Sequence, residues 1–374
     1  MRIAIDAVTP GASLEPTVAG MRHYVVALVS AMSALDTSNE FLVFEGARAP
    51  LKELDELPNV RRITCRGILR NRAARVLYQN IALPMMLRRH HVDVTLGTCN
   101  VIPIGSPRPC VVVLQSLQYF VHRSTFGRLR GTYLRASVRS SVHRADAVIA
   151  LSHASKDEAV GFTAVNPGKV AVVYHGVPYA VRAYATQSHA VRPTESQYIL
   201  AVSSLHRYKN VDRVVRAFAE LRRTYDVDYR LRVVGQSAEL TISELKALAD
   251  ELQVGEWVDF LGGVSHLSLP EHYAGAELLV YASLHETFGL PPLEAMALGC
   301  PVVVARASSL PEVVGDAAEL VDPLEVSDIA RGMARVLRNP VRRAELVRLG
   351  LQRAAEFTWE RAATGTLNVL RSVA

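Results

Sequence analysis

Residues Glu277 to Ala305 read ELLVYASLHETFGLPPLEAMALGCPVVVA, an apolar run, a turn-rich loop, a helical stretch and a second apolar run. The runs ELLVYA and PVVVA are typical of buried strands, and PLEAMALG between them is typical of a helix. Pro291 and Pro292 stand where a helix tolerates proline, and Gly299 stands where a helix commonly ends. The stretch therefore predicts two parallel strands joined by a right-handed helical crossover.

The same alternation extends through the rest of the chain. Further helices are predicted at HYVVALVSAMSAL, VDRVVRAFAELRR and ISELKALADEL. Further strands are predicted at RIAIDAV, FLVFEG, VDVTL, CVVVL, DAVIAL and VAVVY in the first half, and at YILAVSS, LRVVG and WVDFLG in the second. Two series of this kind predict an α/β fold of two doubly wound, Rossmann-like domains. Ligands of such sheets lie beyond the carboxyl ends of the strands, so we expect the active site between the facing strand ends.

A weakly patterned stretch separates the two series. It runs from Val181 to Gln197, is rich in small and polar residues, and is interpreted as the interdomain linker. The predicted domains are residues 1–182 and 196–357. A chain of 374 residues suits two domains of ordinary size.

The composition is typical of a folded globular protein and argues against a disulfide-rich, membrane-spanning or secreted one. Hydrophobic residues make up 49% of the chain and charged residues 21%, as in folded globular proteins. The cysteines are scattered, with no spacing typical of a metal or redox site: Cys65, Cys99, Cys110 and Cys300. No stretch approaches the ~20 apolar residues of a spanning helix, and the first apolar run is too short for a signal peptide. We therefore expect a cytoplasmic protein without disulfides.

Positive charge is concentrated in one part of the first half. From Arg61 to Arg144 there are fifteen arginines, no lysine and one acidic residue, Asp93, whereas the whole chain has a net charge of only +6. Such a segment favours anionic partners. A solvated basic face is the alternative interpretation. Nucleic acid is not expected, because neither stacking aromatics nor a recognition-helix motif accompanies the arginines.

The loop and helix of the opening stretch carry the predicted chemistry. Free amide groups and the positive end of the dipole at the start of the helix suit a diphosphate, and Gly289 lets the backbone approach a ligand. A carboxylate can accept hydrogen bonds from two adjacent hydroxyls. Glu294, close to the expected diphosphate, is therefore predicted to bind a ribose, and Glu286, on the loop, to bind a second sugar.

These residues resemble a known family. The run from Glu286 to Ala305 is similar to the paired-glutamate signature of group-one (family four) retaining glycosyltransferases of the GT-B fold. The resemblance implies that Glu294 holds the nucleotide ribose, that Glu286 binds the transferred sugar, and that the backbone of Phe288, Gly289 and Leu290 faces the diphosphate and sugar. It also implies that the last helix, 358–374, packs back on the first domain.

A second match lies at the first strand–helix junction of the second domain. AVSSLHRYKNVDRVVRAF resembles the family's strand, basic loop and Lys-Asn pair, with Lys209 in the lysine position. Two cations beside a leaving diphosphate can replace a metal ion. Arg207 is the candidate for the second cation, although the corresponding arginine of relatives stands nearer Ser204 or Tyr208. Ser204, in the same loop, is a candidate substrate-binding residue.

Weaker similarities cover most of the remaining chain. Gly20 corresponds to the family's glycine at the entry to the first helix, where the backbone would approach the donor. Gly235 and Ser268 fall in stretches that resemble the nucleotide-side strands and the base-binding loop.

The chain departs from the family pattern after the strand CVVVL. Many relatives have a His-Asp pair there, whereas this chain has Gln115 and Ser116. Gln115 is a candidate substrate-binding residue, because glutamine donates and accepts hydrogen bonds, but it cannot act as a titrating base near neutral pH. In a front-face reaction the leaving phosphate can accept the acceptor's proton, so transfer does not require the histidine.

Together these residues predict a metal-independent retaining glycosyltransferase with no cofactor. The expected donor is a nucleotide-diphosphate sugar carrying a hexose such as mannose or glucose. The expected acceptor is a saccharide or a lipid-linked molecule in cell-envelope polysaccharide or glycolipid synthesis, with an anionic membrane surface, at the inner face, as a further partner. Two alternatives use the same fold: a nucleotide-sugar epimerase, and a non-catalytic nucleotide-sugar-binding protein.

Overall fold

The computed structural model describes residues 1–9, 16–65, 72–107, 109–187 and 197–374. Its chain forms two compact units. Unit 1 comprises Met1–Gly176 and Thr358–Ala374, and unit 2 comprises Val177–Phe357.

Unit 1 contains a parallel sheet of seven strands in the order β3-β2-β1-β4-β5-β6-β7. The strands are β1 (Arg2–Ala7), β2 (Glu40–Gly46), β3 (Val60–Cys65), β4 (Val94–Gly97), β5 (Cys110–Leu114), β6 (Ala147–Ala150) and β7 (Val170–Val172). Its helices are α1 (Pro16–Leu35), α2 (Arg72–Arg89), α3 (Gln118–Val121), α4 (Arg128–Arg144), α5 (His153–Thr163) and, at the end of the chain, α14 (Trp359–Val373).

Unit 2 contains a parallel sheet of six strands in the order β10-β9-β8-β11-β12-β13. The strands are β8 (Tyr198–Val202), β9 (Arg230–Val234), β10 (Val258–Gly262), β11 (Leu278–Tyr281), β12 (Val302–Ala305) and β13 (Ala318–Val321). The helices are α6 (Tyr179–Gln187), α7 (Val211–Tyr225), α8 (Ile242–Glu251), α9 (Leu269–Gly275), α10 (Leu290–Ala297), α11 (Leu310–Val314), α12 (Val326–Leu337) and α13 (Pro340–Ala355).

The central strands are apolar because helices cover both faces of each sheet. In unit 2, β11 and β12 are buried at every position. Helix α7 packs an apolar row of Val211, Val214, Val215, Phe218 and Leu221 into the same core. The prediction of two doubly wound α/β domains is confirmed.

The chain passes between the units at two places. The first lies between Gly176 and Val177 and the second between Phe357 and Thr358. The segment expected to be a linker begins inside α6, which belongs to unit 2, and its residues 188–196 lie outside the described part. Helix α14 belongs to unit 1, where the buried side chain of Trp359 packs edge-on against Tyr24 and His175.

Strand order identifies one special point in each sheet. The order reverses between β1 and β4 in unit 1 and between β8 and β11 in unit 2. Loops that follow the two strands at such a switch point diverge and leave a crevice at the carboxyl edge of the sheet. In unit 2 these are the loops that contain Lys209 and Glu286.

The four cysteines are free thiols. In the described part of the chain, no helix combines the length and apolar character needed to cross a membrane.

Candidate active site

The side chains of Lys209 and Glu286 meet at the switch point of unit 2. Lys209 ends a short 3-10 turn after β8, and Glu286 lies on the loop after β11. The Lys209 ammonium donates a hydrogen bond of 2.5 Å to Oε1 of Glu286. Both side chains are 13% exposed, so the ion pair is largely shielded from water but still reachable from the crevice.

A tyrosine completes this cluster. The hydroxyl of Tyr281, the last residue of β11, donates to the same Oε1 of Glu286 at 2.5 Å. Lys209 Nζ lies 3.4 Å from that hydroxyl, and 5.2 Å from the ring centre of Tyr208. The cation is therefore surrounded by one carboxylate and two aromatic rings.

Glu294 has a different environment. It lies in α10, is 8% exposed, and accepts a hydrogen bond of 2.7 Å from the fully buried Tyr273 through Oε2. In the described part of the chain no cation pairs with it. Burial raises the pKa of Glu294 to about 7, and the bond from Tyr273 opposes this only partly.

The two glutamates therefore differ in charge. Burial would also raise the pKa of Glu286, but the Lys209 charge and the hydrogen bonds from Lys209 and Tyr281 outweigh burial and lower it below its usual value. At neutral pH Glu286 is ionised, whereas Glu294 is divided between its two protonation states.

The loop that carries Glu286 is held through its backbone. Ser308 and Ser309 donate to the Glu286 carbonyl at 2.6 and 2.9 Å, and Ser309 also donates to the Phe288 carbonyl. Asn210, fully buried with a positive φ of 64°, donates to the carbonyl of Ala282 at the end of β11. These bonds fix the loop against the neighbouring strands.

The same loop leads into α10 through Gly289. This glycine is the N-cap, with φ 105°, a conformation that other residues rarely adopt. A Cβ there would lie 2.6 Å from Leu310. The helix begins at Leu290, one residue before the two prolines. Because proline has no amide proton, the start of the helix offers the amides of Gly289 and Leu290, fewer donors than a helix without prolines.

Comparison with known families identifies the chain. Residues 185–353 match the family model for glycosyl transferases group 1, and residues 18–181 match the model for glycosyltransferase family 4. The chain belongs to these glycosyltransferases.

Its similarity to individual relatives is partial. It is 34% identical over 174 residues to the O-antigen chain mannosyltransferase B of Escherichia coli, covering 46% of this chain and 45% of the relative. It is 33% identical over 227 residues to the MMP α-(1→4)-mannosyltransferase of Mycolicibacterium hassiacum, covering 59% and 53%. The matched region thus spans about half the length of these relatives.

Solved structures share the fold. A sucrose-phosphate synthase from Thermosynechococcus elongatus superposes with a TM-score of 0.75 at 20% identity, over 100% of this chain and 98% of the other. The Anabaena HepE protein, solved with UDP and glucose, superposes with a TM-score of 0.73 at 20% identity over all of both chains. The fold is GT-B, as predicted.

Other residues of unit 2 that are predicted for the glycosyltransferase site make no contact with Lys209 or Glu286 in the described part of the chain. Arg207 is exposed. Its charge acts on Glu244, whose pKa is lowered chiefly by bonds from Thr241 and also by Arg207. Within the described residues Arg207 has no contact with Lys209, and its role as the second cation stays a prediction. Ser204 is half-buried in the loop after β8, and Ser268 lies beyond the edge strand β10, where its hydroxyl donates to Ser265.

Gly235 has a structural explanation. A Cβ at this position would lie 1.7 Å from the carbonyl oxygen of Ser203, since the loops after β8 and β9 run in direct contact. A nucleotide contact at Gly235 stays a prediction, and the backbone contact alone accounts for the glycine.

Two predicted residues lie in unit 1. Gly20 is exposed in the first turns of α1, and none of the described atoms lies within 4 Å of the place where a Cβ would stand. Packing therefore does not require a glycine there. Gln115 follows β5, and its backbone amide donates to the side chain of Asn100 at 2.6 Å, as does that of Ser116 at 3.1 Å. Asn100 thus fixes the turn that carries Gln115.

Sequence reasoning missed the tyrosines that contact the glutamates and the asparagine that holds the turn. Tyr281 was recognisable as a candidate site residue. It is the one residue with a hydroxyl group in the apolar run LLVY, and it ends that run at the carboxyl edge of the sheet. Tyr273 and Asn100 carry no comparable signal, since their partners are distant in sequence.

Proposed function

We propose that this glycosyltransferase moves a hexose, such as mannose, from a nucleotide-diphosphate sugar to an acceptor in cell-envelope polysaccharide or glycolipid synthesis. The observation that carries the proposal is the shielded Lys209–Glu286 pair at the switch point of unit 2, together with the buried carboxyl of Glu294 in the helix that follows the Glu286 loop. The names of the mannosyltransferase relatives support the hexose and the pathway class.

In this proposal α10 and its loop bind the donor. Glu294 accepts hydrogen bonds from the ribose diol, and the amides of Gly289 and Leu290 bind the diphosphate at the positive end of the helix. Glu286 binds hydroxyls of the transferred sugar. An ionised carboxylate accepts such bonds more strongly than a neutral one. Burial raises the pKa of Glu286, but Lys209 holds it below its usual value, so the carboxylate is ionised and suits this role.

Lys209 stabilises the leaving group. As the bond between the anomeric carbon and the diphosphate oxygen breaks, negative charge grows on that oxygen, and a nearby ammonium lowers the barrier. The acceptor oxygen bonds to the anomeric carbon on the same face, and its proton passes to the departing phosphate oxygen. The configuration of the anomeric carbon is then retained. Gln115 has no acid–base part in this sequence.

Lys209 also supports independence from metal ions. A cation positioned at the diphosphate supplies the charge that a divalent metal would otherwise supply. Turnover should therefore be unchanged after dialysis against EDTA. A loss of turnover that Mg²⁺ or Mn²⁺ restores would contradict metal independence without affecting the assignment of the donor site.

A membrane surface is the proposed location of the acceptor. Leu77, Ile81 and Met85 are 61%, 55% and 49% exposed and, spaced by four residues, form one row along α2. Arg88 and Arg89 end the same helix. An exposed apolar row next to cations is typical of helices that lie in the interface of an anionic bilayer.

A second exposed site of the same kind begins α4. Leu129 is 91% exposed and stands between the exposed Arg128 and Arg130. Flotation with vesicles containing phosphatidylglycerol tests both sites, and we expect association that high salt weakens. Ile81→Asp should abolish it, whereas Leu351→Asp, at an exposed leucine of unit 2, should not. Equal association of both variants would refute the membrane proposal.

The proposed donor site is tested by thermal shift with UDP-, GDP-, ADP- and dTDP-sugars in EDTA. Stabilisation by one nucleotide family, lost in Glu294→Ala, is the expected result. No shift at millimolar concentration with any of them would contradict the donor site. Conversion of the donor into an isomer in the absence of acceptor would instead indicate an epimerase.

A further inference from the structure

Each of the two glutamates is bonded to a buried tyrosine. Tyr281 is the last residue of β11, and its hydroxyl donates to Glu286 Oε1 at 2.5 Å. Tyr273 lies in α9, and its hydroxyl donates to Glu294 Oε2 at 2.7 Å. The two contacts come from different elements but have the same form, a rigid aromatic donor on one oxygen of a carboxylate.

Such a contact fixes how the carboxylate is turned. The last torsion of a glutamate is broad and roughly two-fold, so an untethered carboxylate samples many orientations. A tyrosine has only two side-chain torsions, and the rings of Tyr273 and Tyr281 are both buried, so packing fixes their positions. At Glu286 the bonds from Tyr281 and Lys209 both fall on Oε1, which commits that oxygen to the protein. The Ser283 side chain is a further hydrogen-bond donor to this carboxylate. Oε2 receives neither of the two bonds that fall on Oε1, and it is the oxygen that the proposal assigns to the sugar.

We propose that Tyr281 and Tyr273 are positioning residues for sugar transfer, with Tyr281 orienting Glu286 toward the transferred sugar and Tyr273 orienting Glu294 toward the nucleotide ribose. The proposal rests on the proposed function for the roles of the glutamates. It assigns to each tyrosine an effect on a different part of the donor.

Tyr281 has a second contact that Tyr273 lacks. Lys209 Nζ lies 3.4 Å from the Tyr281 hydroxyl, so this hydroxyl joins the carboxylate and the cation in one triangle. Loss of the Tyr281 hydroxyl loosens the group that binds the sugar and the group that stabilises the leaving phosphate. Loss of the Tyr273 hydroxyl affects Glu294 alone. The two variants should therefore differ in which kinetic constant changes.

The test compares Tyr273→Phe and Tyr281→Phe with a matched control, Tyr198→Phe. Tyr198 is a buried tyrosine of the same unit whose hydroxyl donates to a backbone carbonyl, that of His272, at 2.7 Å. Tyr273→Phe should weaken binding of UDP or GDP alone, and raise the donor KM, by about tenfold, the size of effect expected for the loss of one buried hydrogen bond. Tyr281→Phe should leave nucleotide binding within twofold and lower kcat by about tenfold or more.

Two further readouts separate positioning from a structural role. Tyr281→Phe removes a donor that favours the ionised form of Glu286, so the acid limb of the pH–kcat profile should move to higher pH. In a Glu286→Gln background, Tyr281→Phe should have little additional effect, since the tyrosine acts through the glutamate.

If both phenylalanine variants match Tyr198→Phe in KM, kcat and pH profile, the positioning roles are refuted. That outcome leaves the proposed function intact as long as Glu286→Gln and Glu294→Gln impair transfer. Full transfer by the two glutamine variants would instead refute the proposed function itself.

Discussion

Replacing Glu294 by glutamine should make unit 2 more stable, by an amount that grows with pH. The folded chain raises the pKa of Glu294 from 4.5 to about 7 through burial. Between these values the folded state holds a proton that the unfolded chain has lost, so stability falls as pH rises through this window. Glutamine does not titrate, and its amide oxygen can still accept the bond from Tyr273.

The magnitude follows from the shift. At 1.36 kcal/mol per pKa unit, ionising Glu294 inside the fold costs about 3 kcal/mol at pH 8 and about 1 kcal/mol at pH 5. The variant should therefore gain about 2 kcal/mol more over the wild type at pH 8 than at pH 5. The same substitution should abolish stabilisation by the donor, which amounts to about 2.7 kcal/mol at a concentration of one hundred times Kd.

The two tryptophans allow this measurement on one unit. Trp257 lies in unit 2 and Trp359 in unit 1. In a Trp359→Phe background, urea unfolding followed by fluorescence reports unit 2, and Glu256→Gln, at an exposed glutamate, is the control. A Glu294→Gln variant no more stable than the control at pH 8, or equally stabilised at both pH values, would refute the reasoning. A gain in stability with donor binding intact would refute the ribose role alone.

Three other substitutions have defined outcomes. Lys209→Ala should lower kcat by on the order of 10²–10³-fold, because the charge on the leaving phosphate loses its partner; turnover within threefold of the wild type would contradict this role. Gly20→Ala should leave the melting temperature unchanged or higher, since helix propensity favours alanine by about 0.5–1 kcal/mol and the site is open. Its donor KM should rise, and an unchanged KM would remove Gly20 from the donor site. Gly235→Ala should destabilise unit 2 by roughly 1–3 kcal/mol, measured by urea unfolding, because its Cβ would collide with the Ser203 carbonyl; full stability would show that the two loops can separate.

The sequence predicted the strands of both sheets correctly where those strands are buried on both faces. Such strands are short apolar runs, like β11 and β12, and the helices between them have one apolar row. Strand β3 was missed because its sequence, VRRITC, contains two arginines and lies at the sheet edge. Strand β13, AELV, was missed because it has only four residues and one of them is a glutamate.

The sequence predicted the candidate site only in part, because the side chains of residues that are close in sequence need not point in the same direction. Lys209 and Glu286 follow strands that adjoin in the sheet, so topology brings them together. Arg207, two residues before Lys209 in the same 3-10 turn, is exposed, and its charge acts on Glu244. The direction of a side chain in so short a turn depends on tertiary contacts, which a motif does not record.

The position of α14 has a consequence for how the protein is made. Unit 2 is continuous in sequence, whereas unit 1 is completed by a helix that follows unit 2. That helix supplies buried side chains to unit 1, including Trp359, Leu367 and Leu370. During synthesis on the ribosome, the apolar surface of unit 1 that this helix covers therefore stays exposed until the end of the chain is made. Unit 2 is complete before that point and can already fold. We therefore expect unit 2 to complete its core before unit 1 does, the reverse of the usual order in which the N-terminal domain folds first, and we expect chaperones to bind the nascent N-terminal segment.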